Sequence, residues 1–462
     1  MPSKIEIHQI KSKSNQTKIN SKLLNKKPKK PITTPKVSIV VPSLNSIAYI
    51  HECIDSILNQ TLKDIEIICV DAGSSDGTLE VLREYERKDS RLKVIVSSKK
   101  SYGYQMNLGI KEARGEYLGI VESDDYIKEN MYERLYEIAK KYDCEVVKAD
   151  MMDFIRTENG EQENTNHLLN WSNVLYHKKS NCKQDIRFLT ESNIMNPSGI
   201  YNIKLIKKHN IKHNETPGAA FQDTGFWFQV QTLADSIYFL KEPLYYYRRD
   251  NTESSCNNTE KVYCICEEYD FIRNIFINND VLKHDIIPII SYLRFLGYGW
   301  NLNRIDKKFR LEFIYKIKED FENLEKEGEV DREMFKEWQL KKLLNILNSP
   351  DEFYKQIAQH PKGAVRLVKE SQTYKIGNLF LQCKNLKSLF NLFSEIQKNS
   401  IQEKNKIMFC DYYESLRVRE HLSYKFGKLL QTAYKNRFKG ALFILPFQLM
   451  FVYKNFKSKQ GR

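Results

Sequence analysis

The side chains best suited to chemistry stand in one stretch, residues 116–125, EYLGIVESDD. The apolar run 117–121 reads as a buried strand, and it stops at Glu122, Ser123, Asp124 and Asp125. Three carboxylates within four residues repel one another. A divalent cation reverses that repulsion, because Mg²⁺ and Mn²⁺ favour carboxylate oxygens and substrate phosphate as ligands. The competing account is a solvated acidic turn that caps a helix starting near Asn130. A second candidate turn holds Asp71, Gly73, Asp76 and Gly77. Its glycines allow close backbone approach, and a buried Asp can accept a hydrogen bond from a ring N–H such as that of uracil. An ordinary strand-to-helix turn with a helix cap would carry the same residues.

These groups need a scaffold. Residues 37–41 form a β-branched run ending at Pro42, and Ile47, Ile50, Ile54, Ile57 and Leu58 then recur at helical spacing. Residues 65–70 make a second strand, ending at Asp71. Ser75 or Asp76 can cap a helix carrying Leu79, Leu82 and Tyr85. Residues 92–96 and 117–121 supply the third and fourth strands, each followed by a helix, and 144–147 a fifth. Apolar strands separated by amphipathic helices predict an α/β fold, a mostly parallel sheet with helices on both faces. Right-handed crossovers place the strand C-termini on one edge, where such sheets bind ligands. The loops 42–45, 71–77 and 122–125 must therefore open side by side. Residues 156–185 are polar and read as an irregular excursion. Order resumes over 200–208, and 238–247 reads as the last strand. Beyond Cys256 the periodicity becomes helical with charged faces to about residue 420. The expected division is a disordered basic arm over 1–35, an α/β domain over 36–255, a helical domain over 256–420 and a basic amphipathic segment over 421–462.

The net charge of +14 sits at the two ends. Residues 1–36 hold ten lysines against Glu6 alone, and residues 421–462 hold nine Lys and Arg with no acid. The ends carry +18 between them, which leaves about −4 for the body. Tails of this kind suit an anionic surface. Lys425, Lys428, Lys435, Arg437 and Lys439 precede the apolar run 441–453, and Lys454 and Lys457 follow it. That pattern fits an interfacial anchor on an anionic leaflet, or equally a last helix packed on the helical domain. The apolar stretch 440–453 is shorter than the roughly 20 residues a bilayer span needs. The N-terminus lacks the apolar core of a secretory signal. The nine cysteines are scattered and include no CxxC pair, which suits reduced thiols in a cytoplasmic protein.

Three motifs in order, VSIVVPSLN, VDAGSSDGT and GYQMNLGIKEARGEYLGIVESDD, resemble family 2 glycosyltransferases of the GT-A fold over roughly residues 36–255. The resemblance implies a nucleotide-sugar donor, a divalent metal (Mn²⁺ or Mg²⁺) and inversion at the anomeric carbon. It implies that Pro42, Ser43 and Asn45 line the nucleotide pocket, with Asp71 reading uracil and Asp76 in the same turn. Gly103 and Asn107 match the segment beside base and ribose. Glu122, Ser123 and Asp124 occupy the Asp-x-Asp position, with Asp124 the metal ligand. Glu122 replaces the usual Asp, so its longer side chain reaches the metal, a metal-bound water or the ribose. Asp223, after Gln222 where an acid is usual, matches the base that deprotonates the acceptor hydroxyl. Arg248 and Ser254 follow the last strand, where family members close a loop over the diphosphate, and a cation there stabilises departing UDP. Arg249 competes with Arg248 for that place.

The function implied is sugar transfer to a hydroxyl of a glycan or lipid-linked acceptor in bacterial cell-surface polysaccharide synthesis. The expected location is cytoplasmic, with a peripheral seat on the inner face of the cytoplasmic membrane. The helical region is left between acceptor binding and homo-oligomer formation. A nucleotidyltransferase would carry a Gly- and Arg/Lys-rich phosphate loop after the first strand, and PSLNSIAYI lacks one. A basic nucleic-acid-binding protein could use the lysine-rich ends. The body is slightly acidic and no RNA-binding motif is present, so no nucleic acid is expected.

Overall fold

The computed structural model describes residues 34–156, 161–251, 253–254, 258–279, 282–359, 369, 371–382, 422–435 and 441–459. The expected basic arm, apart from residues 34 and 35, lies outside the described residues, as do 256–257, 280–281, 360–368, 370 and 383–420 of the expected helical region.

The chain opens with β1 (Val37–Ser43), α1 (Ile50–Leu58), β2 (Ile65–Asp71), α2 (Thr78–Lys88), β3 (Leu92–Val96), α3 (Tyr102–Glu112) and β4 (Tyr117–Ile120). Strands β3, β2, β1 and β4 lie side by side and parallel. Every residue of β1 and β2 is buried, as helices on both faces require. The strand ends Ser43, Asp71 and Ile120 thus meet one edge.

The second half is mixed. It holds β5 (Tyr126–Ile127), α4 (Met131–Tyr142), β6 (Val146–Arg156), β7 (Gln162–His167), β8 (Lys179–Ser180), α5 (Arg187–Thr190), β9 (Gly199–Asn202), α6 (Ile203–His209), α7 (Gln222–Leu233) and β10 (Ile237–Arg248). Strand β9 runs antiparallel between β4 and β6, β6 pairs parallel with β10, and β5 closes the order as an antiparallel edge. The sheet has ten strands in all. Two features depart from the sequence reading. The fifth strand extends to Arg156, carrying buried Asp150 and Asp153 inside it. The polar excursion contains β7, which adds to the edge of β6.

The buried aspartates of β6 are each met by partners. Asp150 Oδ1 accepts from Leu169 N at 2.7 Å and from the Tyr176 hydroxyl. Asp153 faces His167 Nδ1 at 3.0 Å and Arg249 at 3.1 Å. Helices follow: α8 (Cys264–Phe276), α9 (Lys283–Arg304), α10 (Arg310–Lys326), α11 (Glu337–Asn348) and α12 (Pro350–Gln359). One apolar core runs without a break from Val37 of the sheet to Phe353 of α12. The helices therefore pack onto the sheet as part of the same body. The helices Gln372–Gln382, Leu422–Lys435 and Ala441–Lys459 gather around a second, smaller cluster of Ile376 and Leu430.

Candidate active site

At the ends of β1 and β2 the loops are tied before any ligand arrives. Pro42 and Ser43 are buried, and Ser43 Oγ donates to Asp71 Oδ2 at 3.0 Å. Asp71 Oδ1 accepts from Gly73 N (2.9 Å) and Ser74 N (2.8 Å), and Oδ2 accepts from Ser74 Oγ (2.6 Å). A carboxylate offers about four acceptor positions, and the turn uses that many. A base N–H assigned to Asp71 would compete with these donors. Asn45, at φ +53°, takes Ser75 N on its Oδ1 at 3.0 Å. Asp76 accepts from Thr78 N, Thr78 Oγ1 and Ile47 N. Burial pushes its carboxyl up, but these donors outweigh it and hold the group below the usual range. The N-cap of α2 is Gly77, and neither Ser75 nor Asp76 takes the expected capping position; Asp76 instead ties the turn to the first residue of the helix and to the β1 loop.

Helix α3 connects this rim to the acidic turn. Gln105 Nε2 donates to Ser43 O (2.9 Å) and Val70 O (2.7 Å), pinning the ends of β1 and β2 together. Three residues earlier, the Tyr102 hydroxyl donates to Glu122 Oε1 at 2.8 Å. Gly103 and Asn107 face elsewhere. A Cβ on Gly103 would lie 1.8 Å from Asn214 O. Asn107 exchanges hydrogen bonds with His213 N and O and donates to Glu215. Packing against the 213–215 segment accounts for both residues.

In the acidic turn the three carboxylates part company. Asp125 is buried, and its two oxygens accept from the Tyr245 hydroxyl and from Arg248 N, each at 2.7 Å. It is a fastener between the turn and β10. Asp124 is half-buried, with Oδ2 accepting from Asn251 Nδ2 at 2.8 Å. The Ser123 and Ser46 hydroxyls share a hydrogen bond of 2.7 Å, which ties the turn to the β1 loop. Burial lifts the Glu122 carboxyl, the Tyr102 hydroxyl opposes the rise, and the charges of Asp124 and Asp223 add to it, leaving a pKa of about 8.

Arg248 differs from the expectation that it closes over a diphosphate. Its side chain is 2% exposed, with Nε on Asp124 O (2.7 Å) and a terminal nitrogen on Glu52 (2.6 Å). The Tyr49 and Phe154 rings lie 4.6 Å from its guanidinium. A buried cation must be paired, and here its fork is consumed in shaping the turn. Arg249 pairs with Asp153 over the Tyr247 ring. Ser254 donates its N–H to Asn251 O at 3.4 Å, so the loop after β10 reaches Asp124 through Asn251.

Asp223 stands in the first turn of α7, half-buried, and burial pushes its carboxyl above the usual range. Asn196 Nδ2 holds its backbone carbonyl at 2.7 Å. Gln222 points away and organises the preceding loop: Oε1 accepts from Ala220 N, and Nε2 donates to Thr216 Oγ1 at 2.9 Å. An acid there could not make the donated bonds. Behind α7, Glu268 of α8 accepts from Gly225 N at 2.8 Å and from Asn214 Nδ2 at 3.1 Å. A Cβ on Gly225 would come within 2.3 Å of Glu268 Oε1. The helical region thereby grips the helix that carries Asp223. Tyr102, Gln105, Asn251 and Glu268 carry no local sequence signal, since their partners lie far along the chain.

Among the described residues no group of three or more His, Cys, Asp or Glu would hold a metal unaided. The donor set still suits one that arrives with a diphosphate. Mg²⁺ is commonly held by one or two carboxylates plus substrate phosphates, and Asp124 and Glu122 supply that number. Burial contributes most to the lift of Glu122, and the acidic crowding that adds to it is what a cation relieves.

A parallel half-sheet, an acidic turn after β4 and a carboxylate on α7 define a GT-A glycosyltransferase architecture. Residues 38–202 match the family model described as Glycosyl transferase family 2, and residues 301–458 match one described as Domain of unknown function (DUF8374). Glycosyltransferase GlyG of Streptococcus pneumoniae is 32% identical over 222 residues, 46% of this chain and 70% of that protein. The uncharacterized glycosyltransferase EpsJ of Bacillus subtilis is 32% identical over 218 residues, 47% of this chain, and the match spans 62% of EpsJ's length. The crystal structure of S. aureus TarS 1–349 with UDP-GlcNAc superposes with a TM-score of 0.55 at 19% identity, covering 70% of this chain and 90% of that one. The chain belongs to glycosyl transferase family 2. The nucleotidyltransferase alternative falls with that assignment.

Proposed function

We propose that the protein moves a sugar from a nucleotide-sugar donor, a UDP-sugar, to a hydroxyl of a glycan or lipid-linked acceptor, inverting the anomeric centre. What carries this is one convergence: the Glu122 carboxyl, at the end of β4, feels the charges of both Asp124 and Asp223. On this reading the metal-binding acids and a base from a separate helix lie within electrostatic reach of one another. Asp223 takes the proton of the acceptor hydroxyl as that oxygen bonds to C1, while the bond from C1 to the diphosphate breaks on the opposite side. Its lifted pKa makes it a stronger base than an exposed Asp. Mg²⁺ or Mn²⁺, held by Asp124 and Glu122 with diphosphate oxygens, supplies neutralising positive charge for the leaving group. Tyr102 orients Glu122, and Asn251 orients Asp124. The product is a bacterial cell-surface polysaccharide, made in the cytoplasm at the inner face of the membrane. UDP is the nucleotide favoured because the TarS fold was solved with UDP-GlcNAc.

The test is a panel of UDP- and GDP-sugars with and without Mg²⁺ or Mn²⁺, read by donor hydrolysis and thermal stabilisation. At least one UDP-sugar should act only with metal, and Asp124→Ala should abolish the response. A panel that neither hydrolyses nor stabilises under any metal condition overturns the assignment.

A further inference from the structure

The helix Ala441–Lys459 presents two apolar stripes. Leu445, Leu449 and Val452, spaced by four and three, are half-buried, and Leu445 joins the cluster around Ile376 and Leu430. This stripe covers the neighbouring helix Leu422–Lys435, itself tied to the helix Gln372–Gln382 by Thr373 Oγ1 donating to Gln431 Oε1 at 2.7 Å. Packing inside the protein is thus already served. The other stripe remains: Ile444, Phe447 and Phe451, with Met450 beside them, are 53%, 72%, 65% and 52% exposed. Phe447 and Phe451 are the most exposed large apolar side chains among the described residues. Soluble surfaces rarely gather such residues without an occupant.

We propose that this outer stripe seats the protein in the headgroup boundary of an anionic membrane leaflet. Charge chooses the occupant. Residues 421–462 carry nine Lys and Arg and no acid, so a second copy docked on the same stripe would bring like charge against like charge. An anionic leaflet attracts such a segment and accepts the aromatic side chains at headgroup depth. The helix lies on the membrane, since no helix among the described residues is long and apolar enough to cross one. This surface stands apart from the transfer site and does not depend on its chemistry.

The experiment is co-sedimentation of the full chain with phosphatidylcholine vesicles and with vesicles containing 30% phosphatidylglycerol. Wild type should partition at least tenfold more onto the anionic vesicles and lose most of that in 0.5 M salt. The double variant F447D/F451D should lose at least tenfold in partitioning with its melting temperature unchanged, because both side chains point to solvent. Ile444→Gln with Met450→Gln serves as a second variant that adds no charge, with a smaller loss in the same direction. Wild type staying in the supernatant, equal partitioning by the variants, or a dimer in sedimentation velocity that F447D/F451D dissolves would each overturn the proposal.

Discussion

Glu268→Gln is the perturbation that isolates the grip of the helical region on the helix that carries Asp223. The carboxyl is 1% exposed and takes two N–H donors, from Gly225 and Asn214. Burial lifts its pKa from 4.5 to about 8. The folded pKa lies above the unfolded one, so between pH 4.5 and 8 the unfolded chain has released the proton while the folded chain still binds it. Stability therefore falls as pH rises through that window and levels off above about 8. At about 1.36 kcal/mol per pKa unit, this group removes on the order of 3–5 kcal/mol between pH 5 and pH 9. Glutamine has no proton to release. Its Oε1 keeps Gly225 N, and its amide donates to Asn214 Oδ1 once the Asn214 amide turns over. The variant should match wild type within about 1 kcal/mol at pH 5 and exceed it by a few kcal/mol at pH 9. Urea midpoints at pH 5, 7 and 9 read the difference, in which other titrating groups cancel. Parallel pH curves for the two proteins would refute the assignment. Glu268→Ala, which leaves Gly225 N–H and the Asn214 amide without an acceptor, should cost roughly 2–5 kcal/mol at pH 5 and much less at pH 9, where the wild-type carboxylate has itself become destabilising.

Asp223→Asn should lower turnover by roughly 10²–10⁴-fold while calorimetric donor binding stays within a factor of three, as expected of a base that acts only on the acceptor. Gly103→Ala should destabilise by about 1–3 kcal/mol in denaturant titration, because its Cβ meets the Asn214 carbonyl at 1.8 Å and that backbone must shift. Chelation with EDTA should abolish the thermal stabilisation given by a nucleotide sugar, and Mn²⁺ or Mg²⁺ should restore it in wild type but not in Asp124→Ala. Tyr102→Phe removes the hydrogen bond on Glu122 Oε1; metal-dependent donor binding should then set in at higher pH than in wild type.

The parallel half of the sheet was legible because each strand is a short, mostly apolar run: the expected third strand, 92–96, coincides with β3. Strand β6 was cut short because Lys148, Asp150 and Asp153 interrupt its pattern, and the partners of the two aspartates come from residues 167, 169, 176 and 249. Strand β7, QENTNH, is polar and mostly exposed, so no periodicity marks it. In the site, the acidic turn and Asp223 could be found from residue type and order. What each carboxylate does could not. Asp125 and Asp124 are neighbours in sequence, yet only the fold turns one inward to Tyr245 and leaves the other half-buried. Arg248 looked like a phosphate ligand because nothing local reveals Glu52, 196 residues earlier, waiting for its charge.

The inward turn of Asp125 also sets an order of events during synthesis. Its hydroxyl partner, Tyr245, emerges from the ribosome 120 residues later. The nascent chain can complete β1 to β4 long before then, but the acidic turn acquires its final shape only when β10 threads past it. A fragment ending ahead of Ile237 would own the early strands and lack the clasp, which makes the final shape of the acidic turn a late milestone of folding.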